Sequence, residues 1–229
     1  RVDTTSVHIN DFIINHEEQF FKITGTVSEN SSDTLFIDFG NLNLAHINII
    51  TKDLGLDFRG FVNGNANFSN ILKSPLFGSN IEVQDLVLNK EPIGNTFIVT
   101  NWVNDLKAIH LNAFSNLDNN RNLSVDGNYF PENKNLNFNI NLNKFNASIL
   151  NSFLKSFASN IKGKVSGDVG VKGTFTNPEF NGLMNMEKAA LTIDYLKTRY
   201  NFTSDVFIEK NSIVFREVSV SDPQKNKAL

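Results

Sequence analysis

The chain has 229 residues, a formal net charge of −3, 40% hydrophobic residues and no cysteine. The small negative charge gives no basic surface for nucleic acid or anionic headgroups, and the lack of cysteine excludes disulfides and thiolate metal sites. No apolar run reaches the roughly 18 residues of a membrane-spanning helix. Phenylalanine accounts for 21 residues against one tryptophan and three tyrosines, so the aromatic surface carries few polar groups.

Apolar and polar residues alternate near the start of the chain. The alternation covers residues 21–27, stops at a polar turn cluster over 28–33 and resumes over 35–39. Alternation with period two is typical of a strand that is buried on one face. The two runs therefore predict an antiparallel hairpin, and the apolar spacing over 44–54 predicts a helical face after it.

One segment of the chain occurs twice. Two glycines four residues apart, apolar residues at alternate positions and a proline fifteen residues after the first glycine form the unit. The separations 163 − 60 and 178 − 75 both equal 103, as they do for these pairs: Gly60 and Gly163, Gly64 and Gly167, Pro75 and Pro178, Phe77 and Phe180. Self-similarity at a fixed offset is the signature of a repeat array.

The repeat predicts the domain organisation. We expect residues 1–41 to end a preceding repeat, 42–144 to form copy one and 145–229 to form a truncated copy two, in a piece of a longer array. Further strands are predicted at about 94–103, 106–116, 121–130 and 135–143.

Two irregularities recur in both copies. The three-residue step from Val83 to Leu86 switches faces as a bulge or tight turn would, and the same step follows Met186. A helix is predicted over 146–158, at an end or mouth of the sheet, because Asn146 suits an N-cap and the apolar spacing forms one face. Its apolar positions are Ile149, Leu150, Phe153, Leu154 and Phe157.

The predicted fold class is all-β with one or two short helices. Every strand has one apolar face, and the apolar faces must be covered. A closed β-sandwich or solenoid filled by its own side chains satisfies this requirement, and so does an elongated, curled antiparallel sheet whose apolar groove is left for a ligand.

The order of motifs resembles the C-terminal part of the TamB family, which belongs with the AsmA-like proteins. A short helix is followed by a Gly-x-x-x-Gly strand, Asn-Pro-x-Phe-x-Gly, a face-switching strand pair and Ile/Val-x-Phe before an acidic turn. The residues that carry the resemblance lie in 154–182, 189–195, 200–202 and 213–228. Copy one departs from the pattern with Ser74 before its proline and Asn63 inside its strand.

The resemblance implies a function for the fragment. Members of the family resemble β-taco troughs that are anchored in the inner membrane, cross the periplasm and move phospholipid between membranes. We therefore expect a periplasmic, non-enzymatic lipid bridge whose partners are phospholipid acyl chains, the inner membrane and an outer-membrane barrel protein of the BamA-like type. The alternatives are a structural or adhesive β-solenoid with a sealed core, and a factor that assists outer-membrane protein assembly.

The candidate site is the apolar lining of this groove. Its strictest alternation lies in 136–142, next to the glycine strand of copy two. The expected lining residues are Leu136, Phe138, Ile140, Leu142, Val165, Val169, Val171, Phe58, Val62 and Phe68.

Other motifs favour structural explanations. Glycines 163–173 precede more strand and not the helix that a phosphate-binding loop needs. The four histidines share no metal-ligand spacing, and the acidic or amide clusters at 17–18 and 118–120 suit hairpin loops. We expect no enzyme, no metal and no cofactor.

Overall fold

The computed structural model describes residues 6–51, 55–72, 76–152, 158–210, 212–215, 220–221 and 227–228. Fifteen strands form one antiparallel sheet in which β1 to β12 follow the order of the chain. Strands β13 and β14 both pair with β12, and β15 pairs with β14. The strands are β1 Ser6–His16, β2 Gln19–Ser28, β3 Thr34–Asn43, β4 Phe58–Ser69, β5 Leu76–Leu88, β6 Glu91–Val103, β7 Ala108–Leu117, β8 Asn120–Phe130, β9 Asn135–Asn146, β10 Ala158–Thr174, β11 Asn177–Ile193, β12 Thr198–Glu209, β13 Ser212–Phe215, β14 Val220–Ser221 and β15 Lys227–Ala228.

The predicted fold class, all-β with short helices and one open antiparallel sheet, is confirmed. Short turns join the strands as a meander, and the hairpin predicted over 21–39 is the β2–β3 pair. The strands pack chiefly against their chain neighbours. The sheet is therefore open and, taken as a whole, uncurled. The expected curl is absent, and the apolar side is an open face of the sheet instead of a curled groove.

Both predicted helices fall on connections at the same end of the sheet. A 3-10 helix at Leu44–Ile47 and helix α1 at Asn48–Thr51 connect β3 to β4. A second 3-10 helix at Ala147–Ser152 connects β9 to β10, where a longer helix over 146–158 was expected. Residues 52–54 and 153–157, including Phe153, Leu154 and Phe157, lie outside the described part. None of the helices in the described part is long and apolar enough to cross a membrane.

The two copies share their strand register. Gly64 pairs with Phe39 and Ile81, and Gly167 pairs with the residues that lie 103 positions further along, Leu142 and Met184. The expected face switches are bulges, since the register shifts after Val83 and again after Met186. Left-handed residues occupy equivalent places in both copies: Asn41 and Lys144, Asp85 and Lys188. The described residues thus support the 103-residue offset, and the domain limits drawn from it stay a prediction.

The main buried cluster lies at the helical end of copy two. The second 3-10 helix and strands β10 to β12 supply it, and Leu150 packs against it as predicted. Its members are Ala147, Ala158, Ile161, Val165, Met186, Ala189, Phe202 and Val206.

The sheet bends locally at this same end. The Asn146 amide donates a hydrogen bond of 3.1 Å to the Glu91 carboxylate. The two residues belong to β9 and β6, three strand spacings or about 14 Å apart in a flat sheet. That distance exceeds the reach of the two side chains, so the ends of β6 and β9 lie closer together here than they would in a flat sheet.

Candidate functional site: the apolar face

The register places one uninterrupted row of apolar residues or glycines across twelve strands. We call it the central row. Each member pairs with the next on the neighbouring strand, so all of them lie on one face of the sheet. From β1 to β12 they are Ile14, Phe21, Phe39, Gly64, Ile81, Ile98, Ala113, Val125, Ile140, Val169, Gly182 and Ile208. At about 4.8 Å per strand the row is roughly 53 Å long.

Two flanking rows run beside it on the same face. The first flanking row comprises Phe12, Ile23, Ile37, Ala66, Ser79, Thr100, Leu111, Gly127, Phe138, Val171 and Phe180. The second comprises Leu42, Val62, Val83, Thr96, Ser115, Leu123, Leu142, Gly167, Met184 and Val206. We call the three rows together the apolar face. None of these positions carries a charged residue, so the face presents a continuous low-polarity surface.

The opposite face is rich in asparagine and aspartate. Cross-strand amide–carboxylate hydrogen bonds of 2.8 to 3.0 Å hold it together, donated from Asn112 to Asp126, from Asn141 to Asp168 and from Asn185 to Asp205. The Phe97 and Phe114 rings stack here at 5.1 Å, and the Arg121 guanidinium lies 3.9 Å above Phe114. Polar and charged groups predominate on this face, among which Phe36, Phe61, Val99 and Leu183 are exposed as separate apolar side chains.

Electrostatic effects on this polar face are local. Lys22 donates a hydrogen bond to Asp11, and their ion pair at 2.9 Å raises the pKa of the lysine amine. Both side chains are well exposed, so the pair contributes little to stability.

The expected lining residues all lie on the apolar side. The central row contains Ile140 and Val169, and the flanking rows contain Phe138, Val171, Leu142 and Val62. Leu136 and Phe68 lie one step beyond the first flanking row, and Val165 lies one step beyond the second. Phe58 stands at the start of β4, 103 residues before Ile161 of the buried cluster.

The structure brings the seven expected lining residues of β9 and β10 together, since these strands are neighbours. It keeps the copy-one residues of β4 on a separate stretch of the face, with β5 to β8 between them. The lining is therefore a long surface and not one compact pocket.

Several contributors to the face were missed from the sequence. Strands β1 to β3 and β5 to β8 supply more than half of the central row. Their alternation was visible, but the phase changes at each bulge hid which residues share a face. Hydroxyl groups on the face were missed as well: Ser79 and Thr100 hydrogen-bond to each other at 2.8 Å, and Ser115 donates to Asn122 at 2.8 Å.

A repeated asparagine contact was also missed. Asn151 accepts a hydrogen bond from the Ile161 amide at 2.8 Å and donates one to the Ile161 carbonyl at 3.0 Å. Asn48 makes the same pair of bonds with Phe58, each at 2.8 Å. The positions differ by 103 in both cases, so a search for polar residues conserved between the two copies would have found them.

Chemistry other than apolar contact has little support on the described residues, which include no cluster of three or more histidine, aspartate or glutamate side chains suited to a metal. The predicted Asn146 cap is present, because its side chain accepts a hydrogen bond from the Ser148 amide at 3.2 Å. Asn43 caps the first 3-10 helix in the same way at 2.9 Å.

No protein-family model, curated protein or solved structure significantly matches this chain.

Proposed function

We propose that this protein is a segment of a bridge that carries phospholipid acyl chains across the periplasm along its apolar face. The observation that carries the proposal is the central row, with its twelve successive apolar or glycine positions on one open face. A sheet that needed only a sealed core would cover such a row with a second layer, and the described strands all belong to one sheet.

The face matches the energetic problem of moving a lipid through water. At about 0.8 kcal/mol per CH₂, exposing two tails of about 16 carbons costs on the order of 25 kcal/mol. A surface that stays apolar from strand to strand removes most of that cost at every point along the path. The headgroup stays in water, because the face is open to solvent.

The wider assignment rests on the TamB resemblance together with this surface. The protein would be periplasmic and connected to the inner membrane, and it would work with an outer-membrane barrel protein of the BamA-like type. The acyl chains would be its ligand, with no enzymatic step and no cofactor.

A second candidate is a factor that assists outer-membrane protein assembly. The observation in its favour is the meander itself, in which each of β1 to β12 extends the sheet by antiparallel pairing. A client strand could pair with a sheet edge in the same way. This candidate predicts binding of an extended peptide and no dependence on the central row.

The test compares two aspartate substitutions on strand β9. Ile140→Asp places a charge in the central row, and Asn137→Asp places one on the exposed polar face beside Lys172. Ile140→Asp should abolish most capture of a phospholipid with a photoreactive tail, because a carboxylate against an acyl chain costs several kcal/mol. Its melting temperature should fall only modestly, since a half-buried site lets water reach the carboxylate. Asn137→Asp should change neither the lipid capture nor the melting temperature.

Val169→Asp tests the same row at a more buried position. Val169 is 7% exposed, so this substitution should lower stability more than Ile140→Asp does. Undiminished capture by a folded Ile140→Asp protein would contradict the proposal. Collapse of the Ile140→Asp fold would instead favour a sealed β-solenoid.

A further inference from the structure

The apolar face changes width along the sheet. Over β2 to β4 the rows are apolar or glycine wherever the register defines them, and we call this stretch the first basin. Over β8 to β11 all three rows are apolar or glycine, and we call this stretch the second basin. Rows on one face lie two residues apart along a strand, or about 7 Å, so three rows span roughly 14 Å between their centres.

Strand β6 interrupts this pattern. Its central-row residue, Ile98, is flanked by Thr96 in one row and Thr100 in the other. On either side the polar positions continue: Ser79 on β5 lies beside Thr100, and Ser115 on β7 lies beside Thr96. Only the central row remains apolar without a break from β5 to β7.

The polar positions are fixed components of the wall. Ser79 and Thr100 are both buried and bond to each other, and the Thr96 hydroxyl donates to the Gly94 carbonyl at 3.2 Å. Ser115 donates to Asn122, which in turn donates to the Ile93 carbonyl at 3.1 Å. Because these hydroxyls have hydrogen-bond partners within the sheet, they add neither a binding group for a headgroup nor apolar area for a tail.

Burial restricts access to the same stretch further. The hydrogen bond between Asn146 and Glu91 holds the ends of β6 and β9 together beyond the second flanking row. Ser115 and Ile93 are nearly inaccessible there, at 0% and 3% exposure. Ile81, Ile98 and Ala113 of the central row remain half-buried and accessible.

We propose that β5 to β7 form a neck, centred on Ile98, that admits acyl chains in single file between two wider lipid-binding basins. This inference rests on the proposed function and adds to it a specific place that limits passage. In a basin, a tail displaced from one residue can shift to a neighbouring row. In the neck no second row stays apolar across β6, because Val83 on β5 pairs with Thr96 and Leu111 on β7 pairs with Thr100.

The test uses two matched pairs of cross-strand neighbours. Ile81 pairs with Ile98 in the neck, and Val125 pairs with Ile140 in the second basin. In the neck, a photoreactive residue at Ile81 reports lipid contact and Ile98→Thr changes its cross-strand neighbour. In the second basin, a photoreactive residue at Val125 reports lipid contact and Ile140→Thr changes its neighbour. Vesicles of phosphatidylethanolamine and phosphatidylglycerol supply the lipid. Threonine suits a strand, so both variants should keep the fold.

The neck predicts unequal effects. Ile98→Thr should lower capture at Ile81 at least about fourfold, the factor that corresponds to the loss of one methylene of apolar contact. Ile140→Thr should lower capture at Val125 by less than about twofold, because the tail can shift to a neighbouring row there. The reciprocal pair, Ile81→Thr with the photoreactive residue at Ile98, repeats the test if Ile98→Thr fails to fold.

The outcomes separate the two proposals. Capture at both reporters with equal losses from the two threonine substitutions would overturn the neck and leave lipid binding intact. No lipid capture at either reporter in the otherwise unmodified protein would overturn the proposed function itself.

Discussion

Gly167 occupies a place in the sheet where a side chain cannot fit. It has a φ of +143°, and a Cβ atom there would lie 2.2 Å from the Leu183 carbonyl oxygen. Its counterpart Gly64 has a φ of +150° and meets the Asn80 carbonyl oxygen at the same distance. Backbone atoms cannot move aside cheaply, so these glycines permit close approach between strands at the apolar face.

Gly167→Ala should therefore destabilise the protein by about 3 kcal/mol through combined backbone strain and overpacking. Gly170→Ala on the same strand is the matched control. Gly170 has no left-handed φ, and its new Cβ would meet the movable Asn181 side chain. Urea unfolding should show a loss within about 1 kcal/mol for this control. Equal losses of unfolding free energy for Gly167→Ala and Gly170→Ala would show that the left-handed φ and the close strand approach at Gly167 do not determine its effect on stability.

The connection between β9 and β10 depends on Asn151. Its side chain bonds both the amide and the carbonyl of Ile161 and so replaces a neighbouring strand for that residue. The repetition of this contact by Asn48 and Phe58 indicates that it belongs to the repeat and not to one connection.

Asn151→Ala should increase hydrogen exchange at the Ile161 amide, because that amide loses its acceptor. The cost should be about 1–3 kcal/mol, the usual range when a partly buried group loses its hydrogen bond. Asn137→Ala, on the exposed face of β9, serves as the control and should leave exchange at Ile161 unchanged. If Ile161 stays as protected in Asn151→Ala as in the native chain, the asparagine contact does not hold the connection.

The elements were predictable to different degrees. Strict alternation over 21–39 and 135–143 identified strands correctly, because half-buried strands leave a period-two pattern. Of the helix predicted over 146–158, the structure describes the 3-10 helix Ala147–Ser152, while residues 153–157 lie outside the described part. The face switches after Val83 and Met186 were predicted correctly, because a three-residue apolar step breaks the period of two, and of the bulge or tight turn that could cause it the structure has the bulge.

The shared face was harder to predict than the strands. Each bulge reverses which residues face the apolar side, and cross-strand register depends on contacts far apart in sequence. The central row therefore emerged from the structure, although Ile140 and Val169 were already expected to line the site. The curl expected of a groove was not found for the sheet as a whole. Asn146 and Glu91, which produce its local bend, are 55 residues apart and carry no pattern that links them.

At the scale of the whole molecule the single sheet predicts an extended particle. Twelve strands in order give a width of roughly 53 Å. A compact chain of 229 residues would have a radius of gyration of about 17 Å. Small-angle X-ray scattering should give a clearly larger value for the monomer. A value at or below the compact one would mean that the sheet folds over and seals its apolar face.

The central claim is that lipid tails bind along one face of the sheet. Photoreactive residues at Phe39, Ile81, Val125 and Ile140 would sample the central row. Asp38, Asn80, Ser124 and Asn139 immediately precede them on the same strands and sample the opposite face. After irradiation with phospholipid vesicles, mass spectrometry should find lipid adducts at the first four positions and few or none at the second four. Equal labelling of both faces, or no labelling of either, would contradict the account.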